Sequence, residues 1–233
     1  SRGSHVKGLL QVGPDEEITT IVSLKEFSDD QYLFMTTAKG VVKKVKTSEF
    51  TNAKTRGIIG IKLNDGDKLI SAVKTSGSSE VMMVSRCGKA LRINEDTVRT
   101  MGRASCGIKG MKLAEGDEIA AAVEVKEDSN IILLTEKGYG KRISFELFST
   151  HGRGTGGQRI FGNTDGKGEI IGALDVKDKD EVVCMTSQGK TLRFKASEIK
   201  EQGQGASGVK MVKVTEPDYL VGIDKVQDKD DEN

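Results

Sequence analysis

The chain has 233 residues: 36 lysines and arginines against 35 aspartates and glutamates, 28 glycines, two prolines and no tryptophan. A formal net charge of +1 points to no partner by itself, and no run of 18 apolar residues exists to cross a membrane as a helix. Abundant glycine with almost no proline excludes collagen and proline-rich linkers, and the recurring Ile, Val and Leu clusters exclude general disorder. What remains is a soluble domain, or two small ones, of short elements joined by glycine turns.

In chain order, Ser1-Arg-Gly-Ser-His5 resembles an expression-tag scar and is set aside. Residues 6–226 read as one domain and 227–233 as an acidic tail, since Asp228–Asn233 holds four acids and one lysine. An N-terminal half-unit, 6–26, carries Val6-Lys-Gly-Leu-Leu10 and Ile18-Thr-Thr-Ile-Val22, which match only the last two strands of the unit that follows. Either this half-unit completes the last blade and closes a ring, or the chain is a fragment of a longer array.

From there the chain repeats itself four times, with units beginning near 31, 81, 131 and 181. Leu33-Phe-Met-Thr-Thr-Ala-Lys-Gly40, Val81-Met-Met-Val-Ser-Arg-Cys-Gly88, Ile131-Ile-Leu-Leu-Thr-Glu-Lys-Gly138 and Val182-Val-Cys-Met-Thr-Ser-Gln-Gly189 align, their glycines 48, 50 and 51 residues apart. Three residues before the glycine stands a hydroxyl (Thr37, Ser85, Thr135, Thr186). Four after it stands a cation (Lys44, Arg92, Arg142, Arg193), and ten after it an apolar residue (Phe50, Val98, Phe148, Ile199). Each unit predicts two strands joined by a glycine hairpin, then a polar turn of helix such as Asn94-Glu-Asp-Thr97. A glycine-rich loop follows, opening a third strand such as Gly107-Ile-Lys-Gly-Met-Lys-Leu113, and an acidic turn such as Glu115-Gly-Asp117 leads to a fourth. Four strands per roughly 50 residues predicts an all-β, propeller-like array of four blades.

Catalytic chemistry finds few carriers. His151 lies in a basic loop without the partners of a proton relay, and the acidic pairs Asp65/Asp67, Glu115/Asp117 and Asp178/Asp180 repeat as turn-forming residues rather than metal ligands. Gly152-Arg-Gly-Thr-Gly-Gly157 lacks the lysine–hydroxyl pair of a nucleotide loop. Cys87, Cys106 and Cys184 show neither disulfide nor zinc spacing, which reads as a reducing cytoplasm. The reading is therefore no catalytic residue, no metal and no cofactor.

The basic columns carry the chemistry instead. Hairpins contribute Lys43, Lys44, Arg92, Lys141, Arg142 and Arg193; the glycine-rich loops contribute Arg56, Arg103, Lys109, Arg153, Arg159 and Lys210. Repeated radially, such cations would form a track for the phosphates of duplex DNA, with counterion release supplying sequence-independent affinity. Few aromatics are present to stack bases, which favours a duplex over single strands. The competing reading makes them blunters of sheet edges on a protein-binding scaffold.

Phe34-Met-x-Thr-x-x-Gly40-x-Val-Lys-Lys44, Ile61-Lys-Leu-x-Asp-Gly-Asp67, Val98-Arg-x-Met-Gly102 and Gly138-Tyr-Gly-Lys-Arg142 resemble the C-terminal domain of the A subunit of bacterial DNA gyrase, across residues 6–226. The resemblance implies a β-pinwheel that exchanges strands between neighbouring blades and wraps DNA around a basic rim. It implies as partners duplex DNA, the gyrase A catalytic core and the ATP-hydrolysing B subunit, together introducing negative supercoils, with this fragment itself monomeric and non-enzymatic. The related domain of the topoisomerase IV A subunit is the alternative. The family's Gln-Arg-Arg-Gly-Gly-Lys-Gly box does not occur here, as expected of a piece matching later blades, and Tyr32, Tyr139 and Tyr219 do not inherit the DNA-cleaving role of the upstream core.

Overall fold

The structure is a computed structural model describing residues 6–11, 21–24, 27–51, 58–162 and 164–226. The tag-like start, the acidic tail and Arg56 lie outside the described residues.

Strands β1 (Val6–Gln11) and β2 (Ile21–Leu24) precede the repeats. The first repeat contains the hairpin β3 (Tyr32–Thr37) and β4 (Val41–Lys46), the short β5 (Ile58–Ile59) and β6 (Leu69–Thr75). The second follows with β7 (Glu80–Ser85), β8 (Lys89–Asn94), β9 (Ile108–Lys109) and β10 (Ile119–Glu124). The third has β11 (Asn130–Thr135), β12 (Tyr139–Ser144), β13 (Gln158–Arg159) and β14 (Ile170–Val176). The fourth ends the described chain with β15 (Glu181–Thr186), β16 (Thr191–Lys195), β17 (Val209–Lys210) and β18 (Leu220–Lys225). The expected turns of helix are 3-10 turns at Thr47–Phe50, Glu95–Thr97, Phe145–Leu147 and Ala196–Glu198. Asn94 and Ser144 each cap their turn by accepting the amide two residues on.

The repeated columns have a local cause. In every hairpin the glycine amide donates to the carbonyl three residues back, and the following amide donates to the hydroxyl above it: Val41 to Thr37 Oγ1 at 3.1 Å, Lys89 to Ser85 Oγ at 3.0 Å, Tyr139 to Thr135 Oγ1 at 3.2 Å and Lys190 to Thr186 Oγ1 at 3.1 Å. Gly40 adopts φ +87°, a conformation that a Cβ resists. A Cβ there would also stand 2.5 Å from the Met111 carbonyl oxygen.

Strand order shows that repeats and sheets are out of step. The sheets run β6-β3-β4-β9, β10-β7-β8-β13, β14-β11-β12-β17 and β16-β15-β18, with β2-β1-β5 ahead of them. The fourth strand of each repeat returns to its own hairpin, whereas the short strand joins the hairpin of the repeat before. This is the strand exchange that the resemblance implies. The short strand has two residues rather than the expected seven, because its following amides converge on one carbonyl: Gly110 and Met111 both donate to Gly40, and Met211 and Val212 both donate to Gly138. The last sheet has three strands among the described residues instead of four. Strand β1 pairs with β2 and, in parallel, with β5.

Contacts divide the chain into two compact units, Ser1–Met83 with Leu91–Glu124 and Thr150–Gly157, and Val84–Ala90 with Val125–Ser149 and Gln158–Asn233. The first unit is built on two apolar clusters, one around Leu33, Met35, Phe50 and Leu69, the other around Phe34, Met83, Ile93 and Ile119. The second is built around Ile132, Leu134, Val182, Phe194 and Leu220. Each such side chain contributes very roughly 1.5–3 kcal/mol by leaving water.

Candidate nucleic-acid interface

All but one of the hairpin cations that the sequence singles out are turned inward, the exception being Arg193. Lys43 and Lys141 are completely buried. Lys43 Nζ donates to the carbonyls of Gly60 (2.8 Å), Arg103 (2.5 Å) and Ser105 (2.9 Å), and Lys141 Nζ to those of Ile160 (2.8 Å), Gln204 (2.7 Å) and Ala206 (3.1 Å). Burial lowers both ammonium groups to a pKa of about 8, which still leaves them charged at neutral pH. For Lys43 the charges of Glu49 and Cys106 oppose that shift and Arg103 adds to it.

The next residue is also occupied in the first three hairpins. Lys44, 6% exposed, donates to the Glu95 carbonyl at 3.2 Å, lies 3.8 Å from the Glu95 carboxylate and sits over the Tyr32 ring. Arg92, half-buried, is held by Glu80. Burial would raise the Glu80 carboxyl, but hydrogen bonds from Thr150 and Arg92, with the Arg92 charge, hold it below the ordinary carboxylate range. Arg142, 9% exposed, donates to Asn130 Oδ1 (2.8 Å), to the carbonyls of Ala196 (2.8 Å) and Ile199 (3.4 Å), and to Asp178 (2.6 Å). The structure thus places Lys43, Lys44, Lys141 and Arg142 in buried positions against protein acceptors, away from the exposed track that was expected of them, and Arg92 in a half-buried ion pair. A long cation beside a polar loop is drawn in when that loop presents unpaired carbonyls. Arg193, the last member of the column, is exposed.

The glycine-rich loops and exchanged strands behave differently. Lys109 on β9, Arg159 on β13 and Lys210 on β17 occupy the same place, two residues after a positive-φ glycine (Gly107, Gly157, Gly208), and all three are exposed. Within the first unit, Arg153 is exposed and donates to the carbonyls of Lys109 (2.9 Å) and Thr97 (3.2 Å), which gathers two loop cations against β9. Arg103 is half-buried on the loop before it. Within the second unit, Arg159 stands directly opposite Lys89, and Lys210 opposite Tyr139, with the Lys210 ammonium 5.8 Å from the ring centre. Among the exposed cations outside the columns that the sequence singles out are Lys89, Lys62, Lys112 and Lys213. The last three recur five residues after the loop glycine, so their signal was a second basic column inside the supposed third strand.

The repeated acids make turns. Asp67 Oδ1 accepts the amides of Lys39 (3.0 Å) and Lys68 (2.8 Å), fastening the fourth strand's turn to the hairpin. Asp218 Oδ1 accepts the Ser187 hydroxyl and the amides of Gln188 and Tyr219; burial would raise its carboxyl, and these bonds, with one from Thr186, hold it low.

Known proteins match this arrangement. The family described as DNA gyrase C-terminal domain, beta-propeller, matches residues 31–76, 79–126, 129–177 and 180–227. The DNA gyrase A subunit of Treponema pallidum (strain Nichols) is 65% identical over 223 residues, 96% of this chain and 27% of that protein. Its Escherichia coli (strain K12) counterpart is 37% identical over 232 residues, 100% of this chain and 26% of its own length. The chain thus spans about a quarter of the curated relatives it matches. Among solved structures, a DNA gyrase A C-terminal domain superposes with a TM-score of 0.84 at 34% identity, covering 93% of this chain and 73% of that one. The C-terminal domain of a DNA topoisomerase IV has a TM-score of 0.79 at 24% identity, covering 94% and 69%, a likeness of fold alone. With four family matches running through all four repeats, the chain belongs to the DNA gyrase C-terminal domain, beta-propeller family.

Proposed function

We propose that this chain binds and bends duplex DNA without sequence specificity, wrapping it as the C-terminal domain of the A subunit of a cytoplasmic DNA gyrase. In that setting its partners are the catalytic core of the A subunit and the B subunit, whose ATP hydrolysis drives negative supercoiling, and the chain performs no bond chemistry of its own. The observation that carries the reading is the exposed cation repeated on the exchanged strands, Lys109, Arg159 and Lys210, in a member of this family. Arg103, Arg153 and Arg193 supplement it, as does Arg56 from outside the described residues. Arginine and lysine at an exposed strand edge contact phosphate without reading bases, because phosphate geometry is the same in every sequence. The topoisomerase IV alternative draws on fold likeness at 24% identity, against 65% to the A subunit of a gyrase.

Titrating the chain onto a duplex of about 100 bp at several salt concentrations tests the reading. With about six phosphate contacts, log K falls against log salt with a slope near −5. Relaxing plasmid in its presence gives a shift in linking number if the duplex is wrapped. A salt-insensitive affinity, or capture of protein partners with no duplex binding at low salt, overturns it in favour of a scaffold.

A further inference from the structure

Lys43 and Lys141 are too deeply buried to touch a duplex themselves. Each carries an ammonium with three protons, and each meets three backbone carbonyls at hydrogen-bond distance. Two of the three carbonyls belong to the glycine-rich loop of the following repeat: Arg103 and Ser105 in one case, Gln204 and Ala206 in the other. Both loops end at a glycine pressed on the hairpin, where a Cβ would stand 2.5 Å (Gly107) or 2.6 Å (Gly208) from a hairpin carbonyl oxygen. Two residues later comes the exposed cation, Lys109 or Lys210.

The other two repeats supply a built-in contrast. At the same hairpin position they carry Leu91 and Leu192. The loop at 152–157 has Gly154 donating to the Gly110 carbonyl at 2.7 Å, while the bond from Lys112 to the Thr155 carbonyl at 2.9 Å is shared with the other two loops, as Lys62 to Ser105 at 3.0 Å and Gly162 to Ala206 at 3.1 Å. The position therefore accepts an apolar side chain, and where it is lysine the loop is arranged around the charge.

We infer that Lys43 and Lys141 are positioning residues, each ammonium pinning a glycine-rich loop so that the exchanged strand behind it presents Lys109 or Lys210 to a duplex. The inference rests on the proposed function for the duplex and on geometry alone for the loop. Three protons match three acceptors, and a neutral side chain removes the ammonium from all three, leaving the Ser105 and Ala206 carbonyls only the amides of Lys62 and Gly162.

The test uses the 233-residue chain with Lys141→Met, Lys43→Met, and Lys141→Leu as the variant whose residue the fold already accepts at Leu91. Amide hydrogen exchange reads the loop, and duplex titration against salt reads the contact. In Lys141→Met and Lys141→Leu, amides 205–208 exchange about tenfold faster while Ile131–Leu134 are unchanged, as local opening without global unfolding requires. Duplex affinity falls about threefold or more and the salt slope shrinks by about one contact. Lys43→Met does the same for 103–107. In Lys141→Ala, n-propylammonium restores loop protection and duplex affinity where n-propanol does not, which separates the charge from mere filling of space. Unchanged loop exchange in the variants overturns the inference. So does faster exchange with duplex affinity and salt slope intact, or equal rescue by the alcohol. A wild-type chain that binds no duplex overturns the functional reading and this one together, and is told apart because the other outcomes keep wild-type binding.

Discussion

The third and the last sheets are made of nearly the same hairpin, yet they treat equivalent residues in opposite ways. Leu134 on β11 is fully buried, whereas Met185 at the same place on β15 is 46% exposed. Arg142 is locked by two carbonyls of the Ala196–Ile199 turn, whereas Arg193 stands exposed. Gly138 lies against the Val212 carbonyl, whereas a Cβ at Gly189 would meet nothing within 4 Å. One feature accounts for all three: the third sheet is covered by the loop and short strand of the repeat that follows it, and among the described residues no such strand covers the last. A residue in a repeat is thus defined by its neighbouring unit as much as by its own.

Substitutions in matched pairs test that contrast. Gly138→Ala combines a left-handed backbone with a clash against main chain and should destabilise by about 3 kcal/mol or more. Gly189→Ala keeps only the conformational term and should cost about 1–2 kcal/mol. Urea unfolding of both variants measures the difference, and equal losses would break the comparison.

Arginine truncation gives the next largest effect. Arg142→Ala removes the guanidinium from the Ala196 and Ile199 carbonyls, the first of which keeps the Ile199 amide, and should cost about 1–2 kcal/mol, little of it from Asp178, which is largely exposed. Arg193→Ala should change stability by less than about 0.5 kcal/mol. In duplex titrations the order reverses in character: Arg193→Ala should reduce the salt slope by about one contact while leaving the unfolding midpoint in place.

The smallest effect is a pH dependence. The folded pKa of Lys141, about 8, lies below its ordinary value of 10.5, so the unfolded chain holds more protons between those limits. The cost of the buried charge is complete below pH 8 and is relieved as pH rises toward 10.5. Wild-type stability should therefore climb over that window relative to Lys141→Leu, as read by urea midpoints at about pH 7 and about pH 9.5. The last sheet, with Leu192 at this place, contributes no such climb. A flat difference between the two proteins would place the ammonium in solvent.

Much of the architecture is legible along the chain. The hydroxyl-x-x-glycine column encodes a turn whose bonds are made within five residues, so Thr37, Ser85, Thr135 and Thr186 declare it locally. The apolar runs are local in the same sense, whereas the acid that fastens a hairpin acts from far along the chain, Asp67 on Lys39 and Asp218 on Gln188. The roles of the cations are not legible there, because they depend on carbonyls far along the chain. Lys141 meets Gln204 and Ala206, Arg142 meets Ala196, and nothing in Gly138-Tyr-Gly-Lys-Arg142 says that those oxygens will be there.

By itself the sequence determined four units, their hairpins and the residue types that recur in them, since short-range turn chemistry and burial pattern need only neighbours along the chain. Only the tertiary structure decided which positive charges meet water and which meet backbone. Strand exchange sets one repeat's loop over another's hairpin, and a charge in that cover must find acceptors there or be excluded from it.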